Sequence, residues 1–188
     1  MPDSQQPQIG INKMLSFFKS TAGKLNVLDI GAGMGKWSKL LRQYCKSIEG
    51  VEVHKPYIEK YNLESLYDEL YNADITKVID FKQYDVAILG DVLEHIEYNK
   101  AIELIKKLKK RVKVIFLTIP ITICIQDGAV YGNSYETHVY QWSDKEIQDV
   151  LDFQLINVGA NDNGLVGIGT YIWPKYGNIW EVPWWMSS

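Results

Sequence analysis

Basic charge, cysteine and long apolar runs are all scarce in this chain of 188 residues. Its 20 Lys and Arg are outnumbered by 23 Asp and Glu, for a formal charge of −3. A protein that neutralises phosphates needs a cationic excess, so nucleic acid is not the expected partner. The basic run Lys106-Lys107-Leu108-Lys109-Lys110-Arg111 falls at the end of a predicted helix, where cations suit the negative end of the dipole. Cys45 and Cys124 are far apart and lack CxxC spacing, which excludes a disulfide framework and argues against thiol catalysis. No apolar stretch reaches the roughly 18 residues a bilayer demands, and the N-terminus lacks a charged-then-apolar leader pattern. The expectation is a soluble, cytoplasmic protein with no membrane partner.

What remains is an ordinary globular composition, 46% hydrophobic and 23% charged, of a size for one domain over residues 1–188. Ile11, Met14, Leu15 and Phe18 follow helical spacing within a lead-in over 1–24. Short apolar runs then alternate with helical patterns. Strands are predicted at 25–30, 47–53, 70–75, 85–89 and 112–119, and helices at 36–45 and 55–63. A further helix carries the stripe Ala101, Ile102, Ile105 and Leu108. Runs apolar throughout are buried on both faces, and helices between them force parallel crossovers. The pattern predicts an α/β fold, a Rossmann-like doubly wound sheet of about seven mostly parallel strands. Residues 120–142 interrupt the rhythm as a Gly-, Asn- and Tyr-rich insertion too long for a bare connection. Ser143 and Glu146 have capping-box spacing before a helix over 143–151. Residues 153–158 and 166–173 flank the polar turn Asn161-Asp162-Asn163-Gly164 and read as a closing antiparallel hairpin. The tail over 174–188, with Tyr176, Trp180, Trp184 and Trp185, together with Trp173, reads as a core finish, a pocket cap or a dimer patch. Monomer and homodimer are both compatible with it.

The chemistry concentrates in Val27-Leu28-Asp29-Ile30-Gly31-Ala32-Gly33-Met34-Gly35-Lys36-Trp37. Glycines between a buried strand and a helix let the chain turn tightly and let a ligand lie against bare backbone. A dinucleotide fingerprint GxGxxG would place its third glycine at position 36, which is Lys36. A Walker loop fails because Trp37 follows Gly35-Lys36. Glu52 ends the second predicted strand, where an acid accepts hydrogen bonds from ribose hydroxyls of either a nicotinamide or an adenosine ligand.

With GxGxG, Glu52, Asn72-Ala73-Asp74-Ile75 and Asp91-Val92-Leu93-Glu94-His95-Ile96 in order, the chain resembles class I S-adenosylmethionine-dependent methyltransferases over about residues 25–173. The resemblance implies a seven-stranded sheet with an antiparallel last strand and S-adenosylmethionine as cofactor. It implies that Asp29, Gly31, Ala32, Gly33 and Gly35 hold the amino-acid portion, with Glu52 and Val53 at the ribose. It sets Asp74 and Ile75 at the adenine, and Gly90, Asp91 and His95 on the methionine side. Residues 126–138, ending Gly132-Asn133-Ser134-Tyr135-Glu136-Thr137-His138, resemble the substrate-side insertion of a bacterial subgroup that also carries a following Trp, here Trp142. A small-molecule or glycan-type acceptor is expected.

Methyl transfer from a sulfonium needs mainly alignment, plus a base if the acceptor is a hydroxyl. His138 is the first candidate, with Glu136 as a second base or its orienting partner and Asp91 near the sulfonium. A loop-anchoring hydrogen bond is the competing role for His138, and packing at a helix start for His95. Asp127, Glu136, His138 and Asp91 lack close ligand spacing, so no metal site is expected. A nicotinamide-dependent oxidoreductase and a non-catalytic cofactor-binding module of the same fold are the alternatives.

Overall fold

The computed structural model describes residues 7–21, 23–161 and 164–175. The tail aromatics Tyr176, Trp180, Trp184 and Trp185 lie outside the described residues, as do Asp162 and Asn163 of the polar turn. The strands are β1 (Leu25–Ile30), β2 (Cys45–Glu52), β3 (Glu69–Asn72), β4 (Tyr84–Gly90), β5 (Val112–Pro120), β6 (Gln154–Ala160) and β7 (Gly167–Trp173). The α-helices are α1 (Gln8–Ser20), α2 (Lys36–Leu41), α3 (Lys55–Lys60), α4 (Tyr98–Leu108) and α5 (Asp144–Asp149). One seven-stranded sheet runs in the order β3-β2-β1-β4-β5-β7-β6. The first five strands pair parallel, and β7 inserts antiparallel between β5 and β6. Both features match the expected Rossmann-like α/β sheet with its antiparallel hairpin.

Alternate side chains of each central strand serve different layers, as the period of two requires. Val27, Val86, Ile88, Val114 and Phe116 meet Met14, Phe17 and Phe18 of α1 and Trp37 and Leu41 of α2. Leu28, Ile30, Ala87, Leu89, Ile115 and Leu117 meet Ala101, Leu104, Ile105 and Leu108 of α4 and Ile147 of α5. Strand β1 lies between β2 and β4, so the chain leaves it in one direction and returns on its other side. That reversal opens a crevice beyond the carboxyl ends of β1 and β4.

Several boundaries fall earlier than the sequence pattern predicts, each for a local reason. Strand β3 stops at Asn72 because the Asp74 side chain accepts from the Thr76 amide (3.0 Å) and opens a 3₁₀ turn over Ile75–Lys77. Helix α2 tightens into a 3₁₀ turn over Arg42–Tyr44, which feeds β2 directly at Cys45. Helix α3 ends before Asn62, which takes a left-handed conformation at φ 49°. The helix after Ser143 ends at Asp149, and its capping box is present as expected.

Residues 121–142 are held from within rather than left as a loose loop. The Gln126 side chain donates to the Glu136 carbonyl (2.7 Å), and the His138 amide donates back to the Gln126 carbonyl (3.0 Å). The Val139 and Tyr140 amides both donate to the Glu94 carbonyl, at 2.8 and 3.2 Å. Trp142 is fully buried, stacks on Tyr98 at 5.3 Å between centroids, and donates its Nε1–H to the Leu93 carbonyl at 3.2 Å. It therefore rivets the end of the insertion to the turn after β4. Trp142→Ala is expected to cost about 3–5 kcal/mol in urea unfolding followed by circular dichroism, because it opens a large cavity and removes that donor. A change below about 1 kcal/mol would show that the insertion is anchored elsewhere.

Candidate active site

The carboxyl ends of β1, β2 and β4 and the insertion enclose a cleft of about 560 Å³. Its floor is the turn after β1. Gly31 has φ 73°, and a Cβ built on it would come within 2.6 Å of a Val92 methyl on the opposite side of the crevice. Only glycine tolerates both the left-handed backbone and that approach. Gly33, at φ 54°, donates its amide to Glu52 Oε2 at 2.8 Å. The Gly31 and Ala32 amides both donate to the Val51 carbonyl, at 2.9 and 3.0 Å, which ties the turn to β2.

Glu52 is 5% exposed, yet each of its carboxylate oxygens has a partner. Oε2 takes the Gly33 amide, and Oε1 takes the His54 amide at 2.7 Å. Burial pushes its pKa up, opposed by these backbone donors and reinforced by the Glu136 charge. A carboxylate has about four acceptor directions, so the backbone donors leave capacity for a ligand's hydroxyl. Val53 lines the cleft beside it, and its carbonyl accepts from Asn72 Nδ2 (3.1 Å). Asp74 stands at the other wall, with Thr76 and Lys77 on its carboxylate. Burial would raise its pKa, but the Thr76 hydroxyl and amide and the Lys77 ammonium outweigh burial and hold it below the usual range. Ile75 is buried beneath it.

At the end of β4, Gly90 and Asp91 line the cleft. Asp91 takes φ 56°, a left-handed conformation that Asp tolerates better than most residues, and its carboxylate accepts from the Thr118 hydroxyl (3.2 Å). His95, Glu136 and His138 close this end together. The His95 and His138 rings pack edge to face at 4.9 Å. His95 Nδ1 bonds the Thr137 carbonyl (3.1 Å), and His138 Nδ1 bonds the Cys124 carbonyl (2.6 Å). Each ring thus anchors backbone and lines the cleft at the same time. Burial pushes His95 down to about 4 and also lowers His138.

Two of the sequence-predicted residues stand behind the cleft rather than in its lining. Gly35 forms the left-handed start of α2 at φ 76°. Asp29 is fully buried, and its Oδ2 accepts from the Tyr67 hydroxyl at 2.5 Å while Oδ1 has no partner. Burial pushes Asp29 up to about 7, against the Tyr67 bond and with help from the Glu52 charge. The residue that sequence reasoning passed over is Glu94, 2% exposed and lining the cleft beside His95. Its signal was an acid inside the otherwise apolar Val92-Leu93-Glu94-His95-Ile96.

The methyltransferase-domain family profile matches residues 7–152. A search of curated protein sequences finds no match. Among solved structures, the chain is similar to the magnesium protoporphyrin IX methyltransferase of Synechocystis with bound SAM, at 17% identity and a TM-score of 0.63 over 88% of this chain and 77% of that one. It is also similar to the N-methyltransferase NodS of Bradyrhizobium japonicum, at 13% identity and 0.60 over 89% and 96%. A third is the 1,6-didemethyltoxoflavin-N1-methyltransferase of Burkholderia thailandensis, at 11% identity and 0.63 over 85% and 74%.

The Asp29 environment has a consequence for stability. Its pKa in the folded chain lies above the unfolded value near 3.8, so folding takes up a proton in between. Stability is then lost as pH rises from about 4 to about 7, by something on the order of 2–4 kcal/mol. Asp29→Asn is expected to flatten that part of the curve in urea titrations at several pH values. An unchanged slope would mean that Asp29 ionises freely in the folded protein. With a glycine turn at the switch point, an acid at the end of β2 and a family match over well over half of its length, the chain belongs to the methyltransferase-domain family.

Proposed function

We propose that the protein transfers the methyl group of S-adenosylmethionine to a small-molecule or glycan-type acceptor. The observation that carries this reading is the Glu52 carboxylate, held by the Gly33 and His54 amides at the mouth of the switch-point crevice. An acid so placed, with acceptor capacity left over, suits the two hydroxyls of an adenosine ribose. In this reading the Gly31-Ala32-Gly33 backbone receives the methionine portion, and Asp29 and Gly35 support that turn from behind. Asp74 accepts from the adenine amino group, Ile75 packs against the ring, and Val53 completes the ribose wall. Gly90 and Asp91 then face the sulfonium, and His95, Glu136 and His138 stand where the acceptor enters.

Charge supports the assignment. Glu52, Asp74, Asp91, Glu97 and Glu136 line the cleft together with the buried Glu94, against Lys36 and Lys100. Such a cleft favours a cationic donor over a pyrophosphate-bearing dinucleotide. Among the described residues no helix is long and apolar enough to cross a membrane.

Isothermal titration of the purified protein with S-adenosylhomocysteine is expected to show one site of micromolar affinity or better. Asp74→Ala should weaken it by about 1–3 kcal/mol, or roughly 5- to 150-fold, if its carboxylate meets the adenine amine. Absence of binding in folded protein, or NADH binding that S-adenosylhomocysteine does not displace, would overturn the reading.

A further inference from the structure

At the acceptor end of the cleft, Glu94 is buried and neither of its carboxylate oxygens has a hydrogen-bond partner. A carboxylate taken from water without donors is costly, and so is a carboxylic acid whose proton meets no acceptor. The turn over Leu93–His95 nevertheless points this side chain into the same space as two imidazoles. One ligand-type atom from each of Glu94, His95 and His138 lies within 4.8 Å of the others.

The rings are prepared in a specific way. Each Nδ1 faces a backbone carbonyl, of Thr137 for His95 and of Cys124 for His138. A carbonyl can only accept, so each Nδ1 carries the proton, and each Nε2 of the neutral ring keeps its lone pair. A backbone carbonyl that fixes a ring's tautomer and orientation is the usual support behind a metal-ligating histidine. Burial favours the neutral rings that ligation requires.

We propose that Glu94, His95 and His138 form a binding site for a divalent first-row transition cation. Two imidazoles and one carboxylate suit Zn²⁺, Mn²⁺, Fe²⁺ or Co²⁺ better than Mg²⁺ or Ca²⁺, which prefer all-oxygen shells. Bonds of about 2.1 Å set tetrahedral ligands roughly 3.4 Å apart, so atoms within 4.8 Å of one another draw together by at most about 1.4 Å on binding. His138 reaches the site from the insertion, which Trp142 rivets to the same turn, so that closure is short. Three protein ligands leave positions open toward the cleft.

The proposal deepens the acceptor-side reading given above and gives His138 a ligand's role in place of a base's. An acceptor hydroxyl on an open position would be acidified by the cation and release its proton to solvent. Its oxygen would then form the O–C bond as the S–C bond breaks, leaving neutral S-adenosylhomocysteine.

The test is cobalt titration of the full-length, chelator-stripped protein without cofactor or acceptor, read by visible absorption and by metal content after dialysis. One equivalent per chain is expected, with affinity lowered at least tenfold in both Glu94→Gln and His138→Ala and unchanged in His54→Ala. Far-ultraviolet circular dichroism and a urea melt of each variant check that the fold persists; should Glu94→Gln fail to fold, His138→Ala carries the comparison. No stoichiometric Co²⁺, Zn²⁺ or Mn²⁺ in folded protein, or equal affinity in wild type and His138→Ala, would overturn the site. Because metal uptake is read without cofactor, either result leaves the cofactor reading standing or falling on its own titration.

Discussion

The Glu52 carboxylate is the hinge on which the rest of the site turns. It spans the gap between two strand ends, taking one backbone amide from the β1 turn and one from the chain that leaves β2. Without it, the Gly33 amide would lose its acceptor and the glycine turn its outer support. Hydrogen bonds from neutral donors to a charged acceptor are stronger than neutral pairs, and burial strengthens them further. The same burial raises the cost of ionising Glu52, so the two amides serve the acid as much as the acid serves them.

A second constraint acts from the opposite side of the crevice. Val92 fills the space a Cβ on residue 31 would need, and the next residues carry the turn that presents Glu94 and His95. The insertion packs onto this turn through the Glu94 carbonyl and Trp142, and so brings Glu136 and His138 over the crevice. The glycine turn and the insertion thus meet on one short stretch after β4. The backbone of Glu94 fastens the insertion while its side chain faces the cleft, so one residue joins the scaffold to the cleft lining.

Much of this was legible in the sequence, for identifiable reasons. Apolar runs such as 112–119 belong to strands covered on both faces, and that pattern survives any detail of packing. The glycine turn and Glu52 stood out in the sequence because they fall at predicted strand ends, whereas Asp74 was picked out by the family resemblance alone. Boundaries were less so: β3 ends at Asn72 because Asp74 bonds Thr76, and α3 ends because Asn62 turns left-handed, both local choices that hydrophobic period does not report. Asp29 reads as a site residue from its neighbours, but Tyr67, thirty-eight positions on, draws its carboxylate away from the cleft lining. The meeting of Glu94, His95 and His138 was invisible for a similar reason. Only the folded insertion closes the 43 positions between His95 and His138. Spacing rules detect ligands on one element and miss those that loops assemble.

The central claim is that the crevice between β1 and β4 holds S-adenosylmethionine by its ribose on Glu52. A crystal structure of the complex with S-adenosylhomocysteine tests it most directly. The account predicts both ribose hydroxyls within hydrogen-bonding distance of the Glu52 carboxylate, the adenine beside Asp74, and the sulfur facing Asp91. Density for the ligand outside this crevice, or a ribose turned away from Glu52, would contradict it.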